Sequence, residues 1–424
     1  MTELPSIDVA TLKASGPELE RRFAAFKDKK LSLDMTRGKP SSAQLDLANG
    51  LISILEPNDF KAADGTDCRN YGGLDGLPEA KALFADFLEV APNEVLLGDN
   101  SSLSLMHDVV ARALTHGVPG GDGPWSAQKP KFLCPSPGYD RHFAICEHFG
   151  IEMIPVDMTD EGPEMDRVEA LAADDASVKG IWIVPKYENP TGATCSARVV
   201  ERFAKMKPRA KDFRIIWDNA YAHHHLTDSP PKLENILEAC KAAGVADRPL
   251  IFGSTSKVSF ASAGIGAIGG SVANIGWFRQ HRSKSTIGPD KLNELRHVRF
   301  FKDMDGLRDH MKKHAALLRP KFDLVDRVLA KELGGKGLAT WTKPLGGYFV
   351  SLDTGDGLAK NVVKMANDVG VKLTEAGATY PKGHDPRDRN IRIAPSLPTL
   401  AEIEAAMEVL AVCVKRATLA KLAG

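Results

Sequence analysis

The chain lacks a charge excess of either sign: 55 Lys+Arg stand against 55 Asp+Glu in 424 residues. A nucleic-acid binder would usually show a basic surplus, so the overall balance gives that class no support, although a local basic patch is left open. No apolar run approaches the ~18 residues that a membrane-spanning helix needs. The opening stretch, MTELPSIDVATLKASGPELERR, has no basic start followed by an apolar core, so no signal peptide is expected. Cysteine is sparse, with Cys68, Cys134, Cys146, Cys195, Cys240 and Cys413 scattered and none in a C-x-x-C pair. That spacing suggests neither a metal site nor a disulfide framework, and a reducing, cytoplasmic setting is expected. Internal repeats and low-complexity tracts are absent too. What remains is an ordinary globular composition, 43% apolar and 26% charged, with length for two to three domains at roughly 150 residues each.

From about residue 75 to 285 helix-like and strand-like segments alternate. Pro78 opens a helical run, PEAKALFADFLEV, at the one helical position where proline costs nothing. EVLLG (94–98) reads as a strand, and the run after it as a helix with serine at its start. KFLC (131–134), IEMIPVDM (151–158), KGIWIVP (179–185), FRIIWD (213–218) and LIFGST (250–255) are short, apolar and bounded by polar or turn residues. SARVVERFAKM (196–206) and KLENILEACKAA (232–243) read as helices between them. Continuous apolar strands alternating with helices imply an α/β fold with a mostly parallel sheet covered on both faces. After about residue 300 the texture changes to a long amphipathic stretch (306–332), strand candidates at 338–342, 347–353, 371–374 and 391–395, and a last helix opened by a Thr399/Glu402 capping box. The expected division is a large domain over 51–300 and a smaller α+β domain built from 1–50 and 301–424. GVPGGDGPWSAQKP (117–130) and STIGPD (285–290) read as linkers.

The chemistry concentrates at strand ends. Asn189-Pro190-Thr191-Gly192 follows one strand, Asp218 ends the next with Tyr221 three residues on, and Ser254-Thr255-Ser256-Lys257 follows a third. In open parallel sheets ligands bind at that edge. A lysine there can form a Schiff base, an acid can hold a pyridine nitrogen protonated, and a phenol can hydrogen-bond a ring oxygen.

These motifs, in this order, resemble the pyridoxal-phosphate-dependent aminotransferases of class I, fold type I. The resemblance covers nearly the whole chain. It includes Tyr71-Gly72-Gly73, Leu77-Pro78-Glu79-Ala80, Asn100-Ser101-Ser102, Pro135-Ser136-Pro137-Gly138-Tyr139, and Ile391-Arg392-Ile393 besides the strand-end motifs. MTRGKPS near the start and TIGPDKLNELRHVRFF in the middle look most like a bacterial subgroup of aspartate aminotransferases.

The resemblance implies a pyridoxal 5'-phosphate cofactor and ping-pong transfer of the amino group from aspartate to 2-oxoglutarate. Lys257 would hold the cofactor and shuttle a proton. Asp218 would bond the pyridinium nitrogen, Asn189 and Tyr221 the ring oxygen, and Tyr139 would stack on the ring. Ser101, Ser102 and Ser254 would meet the phosphate at a helix start. Tyr71 would reach the phosphate of the neighbouring subunit, making a homodimer with shared sites. Gly38 would offer backbone to the substrate, and Arg392 would grip its α-carboxylate with a planar fork. Cis peptides are expected before Pro137 and Pro190. One departure stands out: the family places an arginine eight residues after the lysine, and here that residue is Ile265. Arg279, Arg282 and Lys284 are the nearest basic candidates. A dicarboxylate substrate also needs a second cation. Arg37, beside Gly38, is the leading candidate, with Arg296 and Lys291 as alternatives.

Two features compete weakly. Gly264-Ile265-Gly266-Ala267-Ile268-Gly269 matches a dinucleotide fingerprint, but that fingerprint needs a preceding strand and a following helix, whereas SKVSFASA before it is polar and the run itself, IGAIGGSV, looks like a strand. His223-His224-His225 invites a metal reading, yet consecutive histidines cannot all face one ion, and no metal is expected. Among functions, a lyase, an aspartate β-decarboxylase or an aromatic transaminase would use the same cofactor. A regulator with an aminotransferase-like domain would need a DNA-binding module, for which the fewer than ~75 residues before the cofactor domain leave no room.

Overall fold

A computed structural model describes residues 7–423. Residues 1–6 and 424, part of the expected smaller domain, lie outside the described residues.

The five apolar segments between 131 and 255 form strands Lys131–Ser136, Glu152–Thr159, Val178–Ile183, Arg214–Asp218 and Pro249–Ser254. They pair in parallel, each within a residue or two of the expected bounds. Successive side chains point to opposite faces, and in four of the strands both faces are buried, whereas Glu152–Thr159, toward the sheet edge, alternates between buried and exposed residues. Ile215 and Trp217 enter one apolar cluster while Ile216 enters the other; Leu250 and Phe252 oppose Ile251 in the same way. This is why the strands read as unbroken apolar runs rather than alternating ones. The run Gly266–Gly270 is a strand as its composition suggests, but antiparallel to both neighbours, Pro249–Ser254 and Val95–Leu97. The connection from Pro249–Ser254, residues 255–265, holds no helix and falls short of the dozen or more residues that a crossover to a parallel partner requires. With the two-residue strand Gly162–Pro163, antiparallel at the far edge, the sheet has eight strands.

Local capping chemistry sets most helix bounds. Pro78 opens the helix Pro78–Leu88, which ends two residues early because Glu89 takes a left-handed conformation (φ 57°) and closes it. Asn235 accepts from the Glu238 amide, so the helix there is Ile236–Ala242 and residues 232–235 stay outside it. Thr399 and Glu402 form the expected capping box on the helix Leu400–Ala423. Ser101 stands at the start of Ser102–His116, yet its side chain makes no capping bond. The first amides of that helix are not closed off by it.

Beyond residue 300, the helix Met304–Leu333 spans two cores. Met304, Leu307 and Met311 join the cluster under the sheet, while Leu318 to Leu333 join a second one with Phe23, Leu352, Ile393 and Leu410. Ala339–Trp341, Val350–Thr354 and Asn390–Ile393 make an antiparallel sheet of three strands. Val371–Lys372 does not join it; it pairs in parallel with Leu33–Asp34, which draws the N-terminal segment onto this part.

The stretch 117–130 is not a linker. Trp125 within it is buried and donates from Nε1 to Asp212 Oδ2 at 2.8 Å, and Asp212 Oδ1 takes Lys179 Nζ at 2.7 Å. Lys179 and Asp212 are both almost wholly buried, so each charge depends on the other. Asp212→Ala should therefore destabilise the protein by about 3–5 kcal/mol, the cost of stranding a buried charge. Replacing both residues with apolar ones of similar volume should cost less. Urea unfolding of the two variants checks this.

Candidate active site

The parallel strands all deliver their C-terminal ends to one edge of the sheet. There a cavity of about 870 Å³ opens, walled by Tyr139, Asn189, Tyr221, Lys257, Phe349 and Arg392 and, from the N-terminal segment, by Arg37 and Gly38. Seven of the residues singled out in the sequence thus share one cavity. The Ser136–Pro137 and Asn189–Pro190 peptides are cis, as expected.

Lys257 Nζ lies 5.1 Å from the Tyr221 ring centre and makes no hydrogen bond or ion pair among the described residues. Burial holds the amine below the usual lysine range, opposed by the Asp218 carboxylate. Asp218 itself is 1% exposed. Its Oδ2 lies 3.1 Å from His142 Nε2 and its Oδ1 accepts from Ser102 Oγ at 3.5 Å. His142 stacks flat on Trp182 (ring centres 4.5 Å apart, 11° between planes) and meets Tyr139 edge-on at 5.0 Å. Burial pushes the Tyr139 and Tyr221 phenols up, with Asp218 adding to both, so both stay protonated donors.

Arg392 Nη1 reaches Asp140 Oδ1 at 2.7 Å and Asn189 Oδ1 at 3.3 Å, and its guanidinium sits 5.0 Å from the Phe349 ring centre. Its Nε is buried without a partner. Gly38 faces the same ring: a Cβ there would stand 2.6 Å from Phe349 Cζ. Only glycine lets this backbone pass so close.

The serines form a separate group beside the cavity. Ser254 and Ser256 hydroxyls lie 2.7 Å apart, and Ser256 Oγ donates to the Asn100 carbonyl at 3.1 Å, next to Ser101 and the start of Ser102–His116. Gly264 packs against this corner, where a Cβ would lie 2.8 Å from both Asn100 O and Ser256 N. That close approach accounts for the glycine-rich run without a dinucleotide. Ile265 is buried in the core. Of the basic candidates, Arg279 pairs with Asp75 and Lys284 is exposed, whereas Arg282 is buried, pairs with Asp99 at 3.4 Å and lies against Gly98, just before the serines.

Tyr71 is outside the cavity and 83% exposed. Lys291 is not free for substrate: it donates to the Asn70 and Gly72 carbonyls at 2.6 and 2.7 Å. Arg296 does not line the cavity, whereas Arg37 does, exposed, together with Lys39, Arg141 and Lys372. The three histidines diverge. His223 Nε2 faces Phe87 O, His224 Nε2 faces Lys257 O, and His225 Nδ1 faces Tyr187 OH. Sequence reasoning passed over His142, Asp140, Arg141, Ser256, Phe349 and Glu188. Only the adjacency of Asp140, Arg141 and His142 to the Pro-Gly-Tyr turn could have flagged the first three.

A family model described as aspartate amino-transferase matches residues 7–424. The chain is 50% identical over 410 residues to a putative aminotransferase of Mycolicibacterium smegmatis, covering 96% of this chain and 95% of that protein. It is 46% identical over 412 residues to an aspartate aminotransferase of Corynebacterium glutamicum, covering 97% and 95%. The crystal structure of an aspartate transaminase from Corynebacterium glutamicum superposes with a TM-score of 0.95 at 46% identity, covering 99% of both chains.

Glu188 fixes the turn that carries Asn189. Its Oε2 accepts from the Thr191 amide at 2.8 Å and the Thr191 hydroxyl at 2.7 Å. Burial pushes its carboxyl up to about 8, against the pull of those bonds and of Arg392. The folded chain therefore keeps a proton that the unfolded chain sheds near the usual value of 4.5. This contribution to stability is complete below pH about 4.5 and is lost as pH rises through about 8. Glu188→Gln should flatten that part of the decline, which thermal midpoints measured across this range will show.

Proposed function

Because the chain belongs to the aspartate aminotransferase family, we propose that this cavity moves the amino group of aspartate to 2-oxoglutarate on a pyridoxal 5'-phosphate held by Lys257. The single observation that carries the reading is the meeting of Lys257, Asp218, Tyr221, Asn189 and Arg392 at one sheet edge, with Arg392 Nε and the Lys257 amine both without a partner among the described residues. The residues fit such a group. Lys257 has an amine without a partner, Asp218 a buried carboxylate behind it, and the serine corner beside Ser102–His116 offers hydroxyls and amides to an anion. When bound, the cofactor supplies an aldehyde that takes up the amino group and a ring that withdraws electrons from the substrate Cα.

The chain's own residues do the rest. Burial favours the free-base form of the Lys257 amine, the form that can attack a carbonyl or accept a proton. Asp218, oriented by His142, accepts from a protonated ring nitrogen. Tyr221, with its phenol kept protonated, and Asn189 would hold the ring oxygen, and Tyr139 would pack on the ring. Arg392 turns its planar fork to the α-carboxylate, steadied by Asp140. Ser101, Ser102 and Ser254 meet the phosphate, with Arg282 standing behind them in the role that Ile265 cannot fill. The exposed Tyr71 is the piece a neighbouring copy would receive, which supports a homodimer. The two apolar cores support a division near 51–300 against 1–50 with 301–424, the seam running along Met304–Leu333. The six cysteines, all buried and unpaired, support a reducing compartment.

Aspartate alone, added to the cofactor-loaded enzyme, should yield one oxaloacetate per site and no CO₂. Lys257→Ala should lose both this single turnover and the visible absorbance of lysine-bound cofactor. A Lys257→Ala protein that keeps either, or CO₂ release by the parent enzyme, contradicts the assignment. For the distal carboxylate, Arg37→Ala should cut kcat/KM for aspartate by roughly 10–1000-fold, the loss of one charge-assisted pair. Activity on a monocarboxylic amino acid should fall much less. Equal losses on both substrates would give Arg37 another role and turn attention to Arg141.

A further inference from the structure

Behind Lys257, away from the cavity, lies a buried chain of neutral polar groups that the proposed chemistry does not use. Its centre is Gln44, 0% exposed, on the short helix Ser42–Asp46. The Ser41 backbone amide, which can only donate, points at Gln44 Oε1 at 3.1 Å. This fixes which end of the side-chain amide is oxygen and leaves Nε2 to donate on the other side. Nε2 reaches Tyr348 OH at 3.0 Å and His314 Nδ1 at 3.2 Å.

The two arms then converge on the lysine turn. Tyr348 OH, having accepted from Gln44, donates to the Lys257 carbonyl at 3.4 Å. His314 Nε2 lies 3.0 Å from His310 Nε2. His310 Nε2 faces the carbonyl of Val258 at 2.8 Å; that oxygen can only accept, so His310 carries its proton there. Burial holds His314 near a pKa of about 4 and lowers His310 as well, so both rings are neutral. The arm through Tyr348 has a fixed direction, and two consecutive carbonyls, those of Lys257 and Val258, are reached by groups that lead back to Gln44, the Lys257 carbonyl being faced by His224 Nε2 at 3.3 Å as well.

Gln44 also belongs to the segment that carries Arg37 and Gly38 at the cavity. Lys39 O in that segment accepts from Ser396 Oγ at 2.8 Å, and Thr36 O accepts from Thr374 Oγ1 at 2.9 Å. We infer that Gln44 is a positioning residue that ties the seating of the 36–44 segment over the substrate to the placement of the Lys257 backbone. It touches neither substrate nor cofactor; it acts through Tyr348, His314 and His310. The inference rests on the reading of Lys257 as the amine-bearing residue, but the hydrogen-bond chain exists whether or not that reading holds.

Gln44→Met keeps the volume and removes both donors, and Tyr348→Phe removes one oxygen. Hydrogen–deuterium exchange of residues 255–262 in the full-length protein, cofactor-loaded and stripped, reads the turn directly. Both variants should speed exchange there, while Asp212→Asn, at the opposite end of the sheet, should not. In steady state, kcat for aspartate should fall roughly ten- to a hundred-fold, the effect of a small misplacement of a reacting group, with KM changed less than about three-fold. The double variant should fall no further than the more severe single one, because both act through one chain. Unchanged exchange over 255–262, equal movement of KM and kcat, or multiplying losses in the double variant would each overturn the inference. Should Gln44→Met fail to fold, Tyr348→Phe alone decides by the exchange and KM-against-kcat criteria. The exchange result in stripped protein does not depend on turnover, so failure of the transaminase reading, judged by Lys257→Ala, stays separate.

Discussion

A buried carboxylate faces a buried amine across the edge of the sheet, and most of the site follows from the need to keep both there. Asp218 has almost no contact with water, so its charge must be met by protein groups, His142 and Ser102. His142 in turn is held flat against Trp182. The amine, deprived of water, leans toward its neutral form, which makes it reactive. A parallel sheet covered on both faces is what makes such burial available, because its strand ends are roofed by the loops they feed.

The cavity therefore has an electrostatic gradient built into its walls. At the floor stand a carboxylate and an amine that tends to be neutral. At the sides stand Arg392, restrained by Asp140 and the Phe349 ring, and the phenols of Tyr139 and Tyr221, kept protonated by burial. At the mouth stand the exposed cations Arg37, Lys39, Arg141 and Lys372. With only Glu375 as an exposed acid in the same lining, this distribution of charge favours the entry of a doubly acidic molecule. The serine corner carries little charge of its own: the helix start provides open amides, and the nearest buried cation, Arg282, is shared with Asp99.

The segment from Thr36 to Gln44 has a double attachment. On one side it presents Arg37 and Gly38 to the cavity; on the other it is bonded through Thr374, Ser396 and Tyr348 to parts of the chain hundreds of residues away. The helix Met304–Leu333 runs past both cores and brings His310 and His314 to the same place. Substrate-facing backbone and lysine-bearing backbone are thus parts of one hydrogen-bonded body rather than two loops that happen to meet.

Much of this was legible before any coordinates. Four of the five apolar runs became strands buried on both sides, and the polar residues that end or follow three of them, Asn189, Asp218 and Lys257, were bound to lie at one edge because parallel strands end together. Helix starts at Pro78 and Thr399 followed from chemistry within four residues. Three kinds of fact were not local and could not be read. Gly266–Gly270 turned antiparallel because a short connection left no room for a crossover. The Trp-bearing stretch 117–130 looked like a linker until Asp212, nearly ninety residues on, was found bonded to Trp125. And Arg37 separated from Lys291 and Arg296 as a cavity residue only through tertiary placement, since Lys291 is occupied with the Asn70 and Gly72 carbonyls. The pattern of short-range polarity settled which elements form and which chemistry each can carry. Which distant groups neutralise, orient or consume one another was decided only by packing, where burial removes the water that would otherwise have satisfied each of them alone.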